Sequence, residues 1–288
     1  MDRTEAFEAH RPRLTRLAYR MLGSVAEAED AVQDAWLRWQ SAGDEVADPE
    51  AWLVRVTSRL CVDRLRAAKA RRRAYKGPWL PEPLIEEPAV DPVERAEDVS
   101  VAFLLALERL TPLERAVFLL HDVFDEDYAA VAETLGRSEA AVRQLASRAR
   151  THVRAARPRF SVSEEEVSRL AMAFMAAAVK GDFAALNALL AEDAVMISDG
   201  GGKRKAALRP LSGREDILRL LQGLAWREPE SWESLEIRPA RVNGYPGVIL
   251  VSEDGPATVA FEPGPDGRLR GIYMVRNPEK LGHLAVRG

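Results

Sequence analysis

Five polar side chains between residues 143 and 150 have the chemistry needed to bind base edges and phosphates. They are Arg143, Gln144, Ser147, Arg148 and Arg150. Arginine can donate two parallel hydrogen bonds to a guanine edge, and glutamine can pair with adenine in the same bidentate way. Val142, Leu145 and Ala149 recur between them at helical spacing, so the apolar set packs inward and the polar set projects outward. The spacing predicts a helix that offers hydrogen-bonding groups to DNA, with later arginines such as Arg154 placed for phosphates.

A helix-turn-helix is predicted around this segment. A short first helix from about Asp127 to Leu135 has an apolar packing face, made by Ala129, Val131, Ala132 and Leu135. Gly136 permits a tight turn because it adopts positive φ without a steric penalty, and Ser138 opens the second helix. This spacing is that of a helix-turn-helix, whose second helix enters the major groove. The alternative is an ordinary helical hairpin with a solvated outer face.

Charge is segregated along the chain, although the net charge is only -4. Residues 55–76 hold nine basic residues against one acid, and residues 138–160 hold six arginines against one acid. Residues 82–98 reverse the sign, with seven acids against one arginine. Two basic segments separated by an acidic one indicate two phosphate-facing surfaces joined by a linker that does not bind DNA. A single basic run would instead favour a solvated helix face.

Residues 1 to about 75 are predicted to be helical. Ser24, with Glu27 three residues later, is a capping box that opens a second helix. Asp48-Pro49 opens a third helix, with proline in its first turn, and this helix continues into the first basic segment. Asp30 and Asp34 lie on one face of the second helix, which is either a docking surface for a basic partner or a solvated acidic stripe.

Residues 76–97 are predicted to be an extended linker because they contain six glycines and prolines that exclude a helix interior. These are Gly77, Pro78, Pro81, Pro83, Pro88 and Pro92. The apolar pair Trp79-Leu80 is expected to dock on another part of the molecule, since a free linker has little use for tryptophan.

The pattern changes from Ser163 onwards to two helices, at about 164–180 and 182–191, followed by short β runs. The runs, near 195–198, 232–242, 247–252, 257–262 and 268–276, are separated by turn pairs such as Asn243-Gly244, Asp254-Gly255 and Asp266-Gly267. These dipeptides favour the positive φ angles of hairpin turns. The prediction is an α+β domain of about 125 residues with an antiparallel sheet and helices on one side.

Composition excludes several classes of site. Cys61 is the only cysteine, so an internal disulfide and a cysteine-cluster zinc site are excluded, and its apolar neighbours indicate a buried thiol. No apolar run approaches the roughly 18 residues of a membrane span, and the charged N-terminus is not a secretory signal. We therefore expect a cytoplasmic protein with no membrane partner, no metal and no cofactor.

Three stretches carry a resemblance to a known family. They are YRMLGSVAEAEDAVQDAWLRW, DPEAWLVRVTSRLCVDRLR and YAAVAETLGRSEAAVRQLASRAR. They resemble the two domains of extracytoplasmic-function (ECF) sigma factors of RNA polymerase. WLPEP in the linker, DGGGK and NPEKL further on resemble the subgroup with a fused SnoaL-like regulatory domain. The resemblance implies a multi-domain fold: two all-α sigma domains, the second a helix-turn-helix, followed by an α+β SnoaL-like cone.

The resemblance also implies domain boundaries and residue roles. Residues 1–75 would be sigma region 2, 76–97 the linker, 98–160 sigma region 4 and 163–288 the SnoaL-like domain. Contact with the β′ clamp helices of core polymerase would fall to Asp30, Asp34, Trp36 and Leu37. Binding of the −10 element would fall to Arg55, Arg59, Arg64 and Arg66, with the loop 41–48 at the position that captures a base; the alternative is that some of these arginines pair with acids of the same domain. Binding of the −35 element would fall to Arg143, Gln144, Ser147, Arg148 and Arg150. Interdomain regulation would involve Trp79, Leu80, Pro81, Asp199, Gly200, Gly201, Gly202, Lys203, Asn277, Pro278 and Leu281.

The function that follows is promoter-directed initiation with core RNA polymerase, regulated in cis by the C-terminal domain. The chain is expected to be a monomer when free and not an enzyme, because no paired general acid and base is found among its β segments. A small-molecule ligand of the C-terminal domain is left open. Two alternatives are a one-component DNA-binding regulator and a SnoaL-type cyclase or isomerase, using Asp199, fused to a DNA-binding module.

Overall fold

The computed structural model divides the chain into two compact units. The N-terminal unit comprises Met1–Ala74 and Phe103–Arg157, and the C-terminal unit comprises Tyr75–Ala102 and Pro158–Gly288. The structure describes residues 3–42, 46–86, 100–154, 162–227 and 235–284. The predicted base-capturing loop 41–48 falls partly outside these residues, and most of the acidic segment 82–98 lies outside them.

The first part of the N-terminal unit consists of three helices. They are α1 (Arg3–Leu22), α2 (Val25–Gln40) and α3 (Pro49–Arg73). Ser24 caps α2 as predicted, because its hydroxyl accepts a hydrogen bond from the main-chain N–H of Glu27 at 3.3 Å. The apolar face of α2, including Ala28 and Val32, is buried, which fixes its opposite face toward solvent.

The second part of this unit contains the predicted helix-turn-helix. Its helices are α4 (Val101–Glu108), α5 (Pro112–Phe118), α6 (Tyr128–Leu135) and α7 (Glu139–Arg154), and a five-residue π-helical turn, Leu119–Val123, continues α5. Thr111 and Glu114 form the reciprocal capping box at the start of α5. Gly136 lies between α6 and α7 at φ 61°, a left-handed conformation that a side chain would strain.

A buried arginine joins the two parts of the N-terminal unit. The side chain of Arg115 is 3% exposed and donates to the main-chain oxygen of Met21 in α1 at 2.7 Å. It also pairs with Glu108 at 2.7 Å, and Glu108 pairs with Arg72 of α3. Burial lowers the pKa of Arg115 to about 9, which leaves it charged at neutral pH. A buried charge needs such partners, so this contact stabilises the packing of the two parts seen here.

The C-terminal unit is an α+β structure, as predicted. Its helices are α8 (Glu164–Lys180), α9 (Phe183–Leu189) and α10 (Arg214–Arg227). Its strands are β1 (Ile85–Glu86), β2 (Leu190–Asp199), β3 (Leu211–Ser212), β4 (Glu236–Val242), β5 (Tyr245–Val251), β6 (Ala257–Pro263) and β7 (Leu269–Val275), in the sheet order β1-β4-β5-β6-β7-β2-β3. The core contains Phe174, Met196, Val248 and Phe261, which pack between helices and sheet.

The sheet differs from the expected antiparallel one in a single pairing. The pair β2–β7 is parallel, whereas the other pairs among the described residues are antiparallel. A long connection through β3, α10 and the antiparallel strands β4, β5 and β6 separates β2 from β7, so β7 returns to lie beside β2 in the same direction. Helix α10 was not predicted. The predicted helix 182–191 ends at Leu189, because Leu190 pairs with Leu269 and begins β2.

The first half of the predicted linker is built into this sheet. Residues 75–86, called the strap below, belong to the C-terminal unit. Ile85 pairs with Val242 at the edge of β4, and the carbonyl of Leu84 accepts the main-chain N–H of Asn243 at 2.8 Å. Asn243 and Gly244 have φ angles of 54° and 77°, which confirms the predicted hairpin turn between β4 and β5. The strap therefore covers an otherwise open sheet edge.

Candidate nucleic-acid interface

Some polar side chains of α7 are anchored by residues of other elements, and others are not. The Arg143 guanidinium carbon lies 4.3 Å from the centre of the Tyr128 ring. Arg150 donates from Nε to Asp122 at 2.6 Å and from Nη2 to the Tyr128 hydroxyl at 3.1 Å. Among the described residues, Gln144 and Arg148 have no side-chain partner and are exposed, as is Ser147. These five predicted residues thus lie on an accessible surface rich in donors.

Two arginines of α3 are bound to α6, the first helix of the helix-turn-helix. Arg55 forms an ion pair with Glu133. Arg59 donates from Nε to the main-chain oxygen of Thr134 at 2.7 Å and from Nη2 to that of Glu133 at 3.2 Å. Carbonyl oxygens in the last turn of a helix carry partial negative charge and lack the i+4 donor of earlier turns, although the Glu133 oxygen also accepts from the N–H of Gly136 at 3.3 Å. The guanidinium groups predicted for phosphates therefore have anionic and carbonyl partners here.

Two further arginines of α3 are also paired. Arg64 donates to Asp34 of α2 at 2.6 Å and lies 4.0 Å from Asp30. Arg66 pairs with Asp63 of its own helix at 3.0 Å. Arg64, which is predicted to bind DNA, thus contacts both carboxylates that are predicted to bind polymerase. The sequence left open that some of these arginines pair with acids of their own domain, and Arg64 and Arg66 do so here.

The remaining residues predicted to contact polymerase lie at the exposed side of α2. The ring of Trp36 packs against Phe7 of α1, with centroids 4.8 Å apart. Leu37 is 53% exposed. Asp30 and Asp34 have side chains that are 73% and 46% exposed. This face combines accessible carboxylates with an accessible leucine.

The predicted regulatory residues form a network around Asp199 in the C-terminal unit. The fully buried Asp199 carboxylate accepts from the Tyr75 hydroxyl at 2.7 Å and from the main-chain N–H of Leu80 at 2.9 Å. Lys280 donates to the same carboxylate at 2.7 Å. Burial, followed by the hydrogen bond to Asp199, raises the pKa of Tyr75, so its phenol stays protonated and remains a donor.

Lys280 connects this network to the rest of the strap. Its ammonium group donates to the main-chain oxygen of Leu80 and lies 4.3 Å from the centre of the Trp79 ring. Asn277 donates from Nδ2 to the Tyr75 hydroxyl at 2.8 Å. Leu80, Pro81 and Leu281 are buried, whereas Pro278 is exposed. The WLPEP, DGGGK and NPEKL segments therefore meet at one place.

The glycine loop after Asp199 is explained by close packing. A β-carbon on Gly200 would lie 2.2 Å from the main-chain oxygen of Arg204, and one on Gly201 would lie 2.4 Å from the Asn277 side chain. Gly202 lies against Lys76 of the strap, and Lys203 pairs with Glu279 at 2.5 Å. A pocket of about 270 Å³ opens beside this loop and is lined by Lys76, Pro78, Gly202, Lys205, Leu208 and their neighbours.

Several residues of these sites escaped sequence reasoning. Tyr75 and Lys280 complete the Asp199 network, and Tyr128 and Glu133 bind the arginines of α7 and α3. A sequence signal for this network was Lys280 inside NPEKL, a cation beside the buried Leu281. Among the described residues no group of carboxylates, histidines and cysteine could hold a metal ion, and no helix there is long and apolar enough to cross a membrane.

Comparisons with known families and proteins agree with this geometry. The model for Sigma-70 region 2 matches residues 6–71, and the model for Sigma-70 region 4 matches residues 100–153. The ECF RNA polymerase sigma factor SigJ of Mycobacterium tuberculosis is 42% identical, over 96% of this chain and 92% of that protein. The probable ECF sigma factor SigI of the same species is 39% identical, over 62% of this chain and 63% of that protein.

A solved structure is similar over nearly the whole chain. The crystal structure of Mycobacterium tuberculosis SigJ, described as an extracytoplasmic-function sigma factor, superposes with a TM-score of 0.79 at 38% sequence identity. The match covers 97% of this chain and 98% of that one. The similarity therefore includes the C-terminal unit as well as the two helical modules.

Proposed function

This chain belongs to the extracytoplasmic-function sigma factors of RNA polymerase, and we propose that separate surfaces of its N-terminal unit bind the core enzyme and two promoter elements. As a sigma factor it directs core RNA polymerase to specific promoters. Its C-terminal unit has the SnoaL-like α+β fold. It acts in the cytoplasm, where polymerase and promoter DNA are found, and sigma activity requires no catalysis of its own.

The α7 surface is assigned to the −35 element. Arg143 and Gln144 are near the N-terminal end of α7, where recognition helices contact base edges. Ser147 and Arg148 continue the exposed face, and Arg150 is assigned to phosphate contact. The observation that carries the proposal is this donor-rich helix, which lies in one compact unit with the basic helix α3.

The α2 face is assigned to core polymerase. Asp30 and Asp34 provide negative charge for the basic clamp helices of β′, and Leu37 with Trp36 adds apolar contact. Complementary charge raises the association rate and selects the partner. Arg64, which pairs with Asp34 at 2.6 Å, leaves this carboxylate when it turns to the separated −10 strand.

The N-terminal unit as observed is assigned to a resting state. Arg55 and Arg59, the residues proposed for the −10 strand, are bound to Glu133 and to the end of α6. The same groups cannot hold phosphates and α6 together. Binding of both promoter elements therefore requires α3 and the helix-turn-helix to separate, which is a population shift toward an open form.

The C-terminal unit is proposed to control this opening through the strap. The chain between α3 and α4 could span roughly 90 Å if it were fully extended, at about 3.3–3.6 Å per residue. While Asp199 and Lys280 hold residues 75–86 against the sheet, that part cannot extend. A ligand in the pocket beside the glycine loop would act on the same segment, because Lys76 and Pro78 line it.

The assignment is tested with the purified full chain and core RNA polymerase. We expect association at low salt and initiation at a small set of sequences selected from a randomised duplex pool. An Arg148→Ala variant should associate with core enzyme normally and lose affinity for the selected DNA, because Arg148 lies on α7 and not on α2. A chain that does not associate with core polymerase at low salt overturns the proposal. A symmetric dimer that binds palindromic DNA without polymerase would instead support a one-component regulator.

A further inference from the structure

Tyr128, the first residue of α6, contacts two basic side chains of the recognition helix. Its ring centre lies 4.3 Å from the guanidinium carbon of Arg143, and its hydroxyl accepts from Nη2 of Arg150 at 3.1 Å. Residues seven apart lie on the same side of an α-helix, two turns from one another. One aromatic ring thus contacts the ends of both arginines on this side of α7.

The Tyr128 ring is itself held by the protein. His121, in the π-helical turn, stacks on it with centroids 3.9 Å apart and an interplanar angle of 30°. Nδ1 of His121 lies 2.7 Å from the main-chain oxygen of Glu126, which fixes the imidazole. Because His121 and Arg143 both lie within stacking distance of the ring centre, they occupy opposite faces. Tyr128 is therefore enclosed between a protein-anchored ring and a guanidinium group.

Arg150 has a second anchor in the same turn. Asp122 accepts from Nε of Arg150 at 2.6 Å. The hydrogen bonds to Asp122 and then to Tyr128 raise the pKa of Arg150, so its charge is retained. Side chains that are ordered before binding lose less conformational entropy when they meet a ligand. By contrast, Gln144 and Arg148 have no such side-chain anchor within the described part of the chain.

We propose that Tyr128 is a positioning residue for promoter recognition. Together with Glu139, which accepts from Nη2 of Arg143 at 3.2 Å, it holds Arg143 in the orientation that reads a base edge, and it holds Arg150 in the orientation that meets a phosphate. A planar guanidinium stacked on an aromatic face keeps its donors directed along the plane, which suits bidentate contact with guanine. The inference rests on the proposed role of α7 at the −35 element.

The test uses the full chain with core RNA polymerase and a randomised duplex pool, from which the wild type selects a consensus. Arg143→Ala identifies the base pair that Arg143 reads, because the preference there is lost. Tyr128→Leu is expected to reduce the same preference by about 5- to 150-fold, while other base pairs keep theirs. Tyr128→Phe keeps the ring and should retain the preference at that base pair.

A coupling measurement separates positioning from a structural role. In the Arg143→Ala background, Tyr128→Leu should change the preference at that base pair by less than about twofold, because the base contact it supports is already absent, while overall affinity still falls through the lost anchor of Arg150. His121→Ala removes the opposite stack and should weaken the same base preference even if Tyr128→Leu folds poorly. Unchanged preference in Tyr128→Leu, an equal loss in Tyr128→Phe, or a uniform loss at every base pair overturns the inference. A wild-type chain that selects no sequence with polymerase overturns the sigma-factor proposal itself.

Discussion

Arg59 of α3 donates a hydrogen bond from Nε to the main-chain oxygen of Thr134 near the end of α6, at 2.7 Å. The carbonyl lies in the last turn of a helix, where oxygens lack intrahelical donors, so the guanidinium satisfies a group that would otherwise face water. The same geometry would suit a phosphate oxygen. Helix α6 and a DNA strand therefore compete for one arginine.

Glu133→Gln is predicted to favour the open form of the N-terminal unit. The change removes the charge that pairs with Arg55, and because Glu133 is 65% exposed the pair contributes at most about 1 kcal/mol. Affinity of the polymerase complex for DNA should rise by no more than about fivefold. Glu8→Gln, which removes a similarly exposed pair with Arg11 in α1, is the matched control. Equal affinities in wild type and Glu133→Gln would contradict the resting-state assignment.

Asp199→Asn is predicted to release the strap. The variant loses the charge that neutralises Lys280, which is 12% exposed on its side chain, and breaking such a buried pair costs about 3–5 kcal/mol. Hydrogen exchange of the main-chain N–H of Leu80 should become faster, and initiation with core polymerase should change with it. Asp193→Asn, on the same strand in an exposed pair with Arg270, should leave both unchanged. Faster exchange without any change in initiation would contradict regulation through the strap.

Lys280→Met is predicted to be rescued in part by Asp199→Asn. Alone, the lysine change leaves a fully buried carboxylate without its cation. Together, the two changes leave no uncompensated charge, so the free energies of unfolding should be non-additive by about 0.5–3 kcal/mol. A thermal unfolding series of the wild type, both single variants and the double variant measures this coupling. Additive effects would show that the 2.7 Å contact contributes no specific interaction.

At higher pH, Glu262→Gln is predicted to make the C-terminal unit more stable than it is in the wild type. Burial raises the pKa of Glu262, and the hydrogen bond from Tyr273 at 2.5 Å opposes this only in part. The folded state therefore binds the proton more tightly than the unfolded state. The stability that this proton binding contributes is complete below the ordinary pKa of 4.5. It is lost as the pH rises through the higher pKa that Glu262 has in the folded protein.

Unfolding temperatures of wild type and Glu262→Gln should therefore diverge between pH 4.5 and neutrality, with the variant more stable at the higher pH. Glu236→Gln on β4 is the control. The hydrogen bond from Arg238 lowers the pKa of Glu236, so the control should show no such gain. A constant difference between wild type and Glu262→Gln across this range would contradict the prediction.

Features set by neighbouring residues were predictable from the sequence, whereas features set by distant residues were not. The Ser24 cap and the Asn243-Gly244 turn depend on a few adjacent residues, and both were anticipated. The parallel pairing of β2 with β7 and the contact of Lys280 with Leu80 depend on residues far apart in sequence. Spacing alone carries no information on such contacts.

The candidate site shows the same division. The polar face of α7 was read correctly as accessible, because its apolar residues recur with helical period. The partners of the arginines were not foreseen, since Glu133 and Tyr128 bind side chains contributed by other helices. The motifs WLPEP, DGGGK and NPEKL were recognised as a set, but their meeting point required the fold that brings Tyr75 to Asp199.

The strap has a consequence for the newly made protein. Leu80 and Lys280 are separated by 200 positions, and a ribosome adding about 5–20 residues per second needs roughly 10 to 40 seconds to travel between them. From the addition of Arg154 at the end of α7 until Lys280 follows, both promoter-reading modules have been translated while the sheet that will hold residues 75–86 is incomplete. Each molecule therefore passes once through a nascent stage without this restraint, which can form only after Lys280 has been translated.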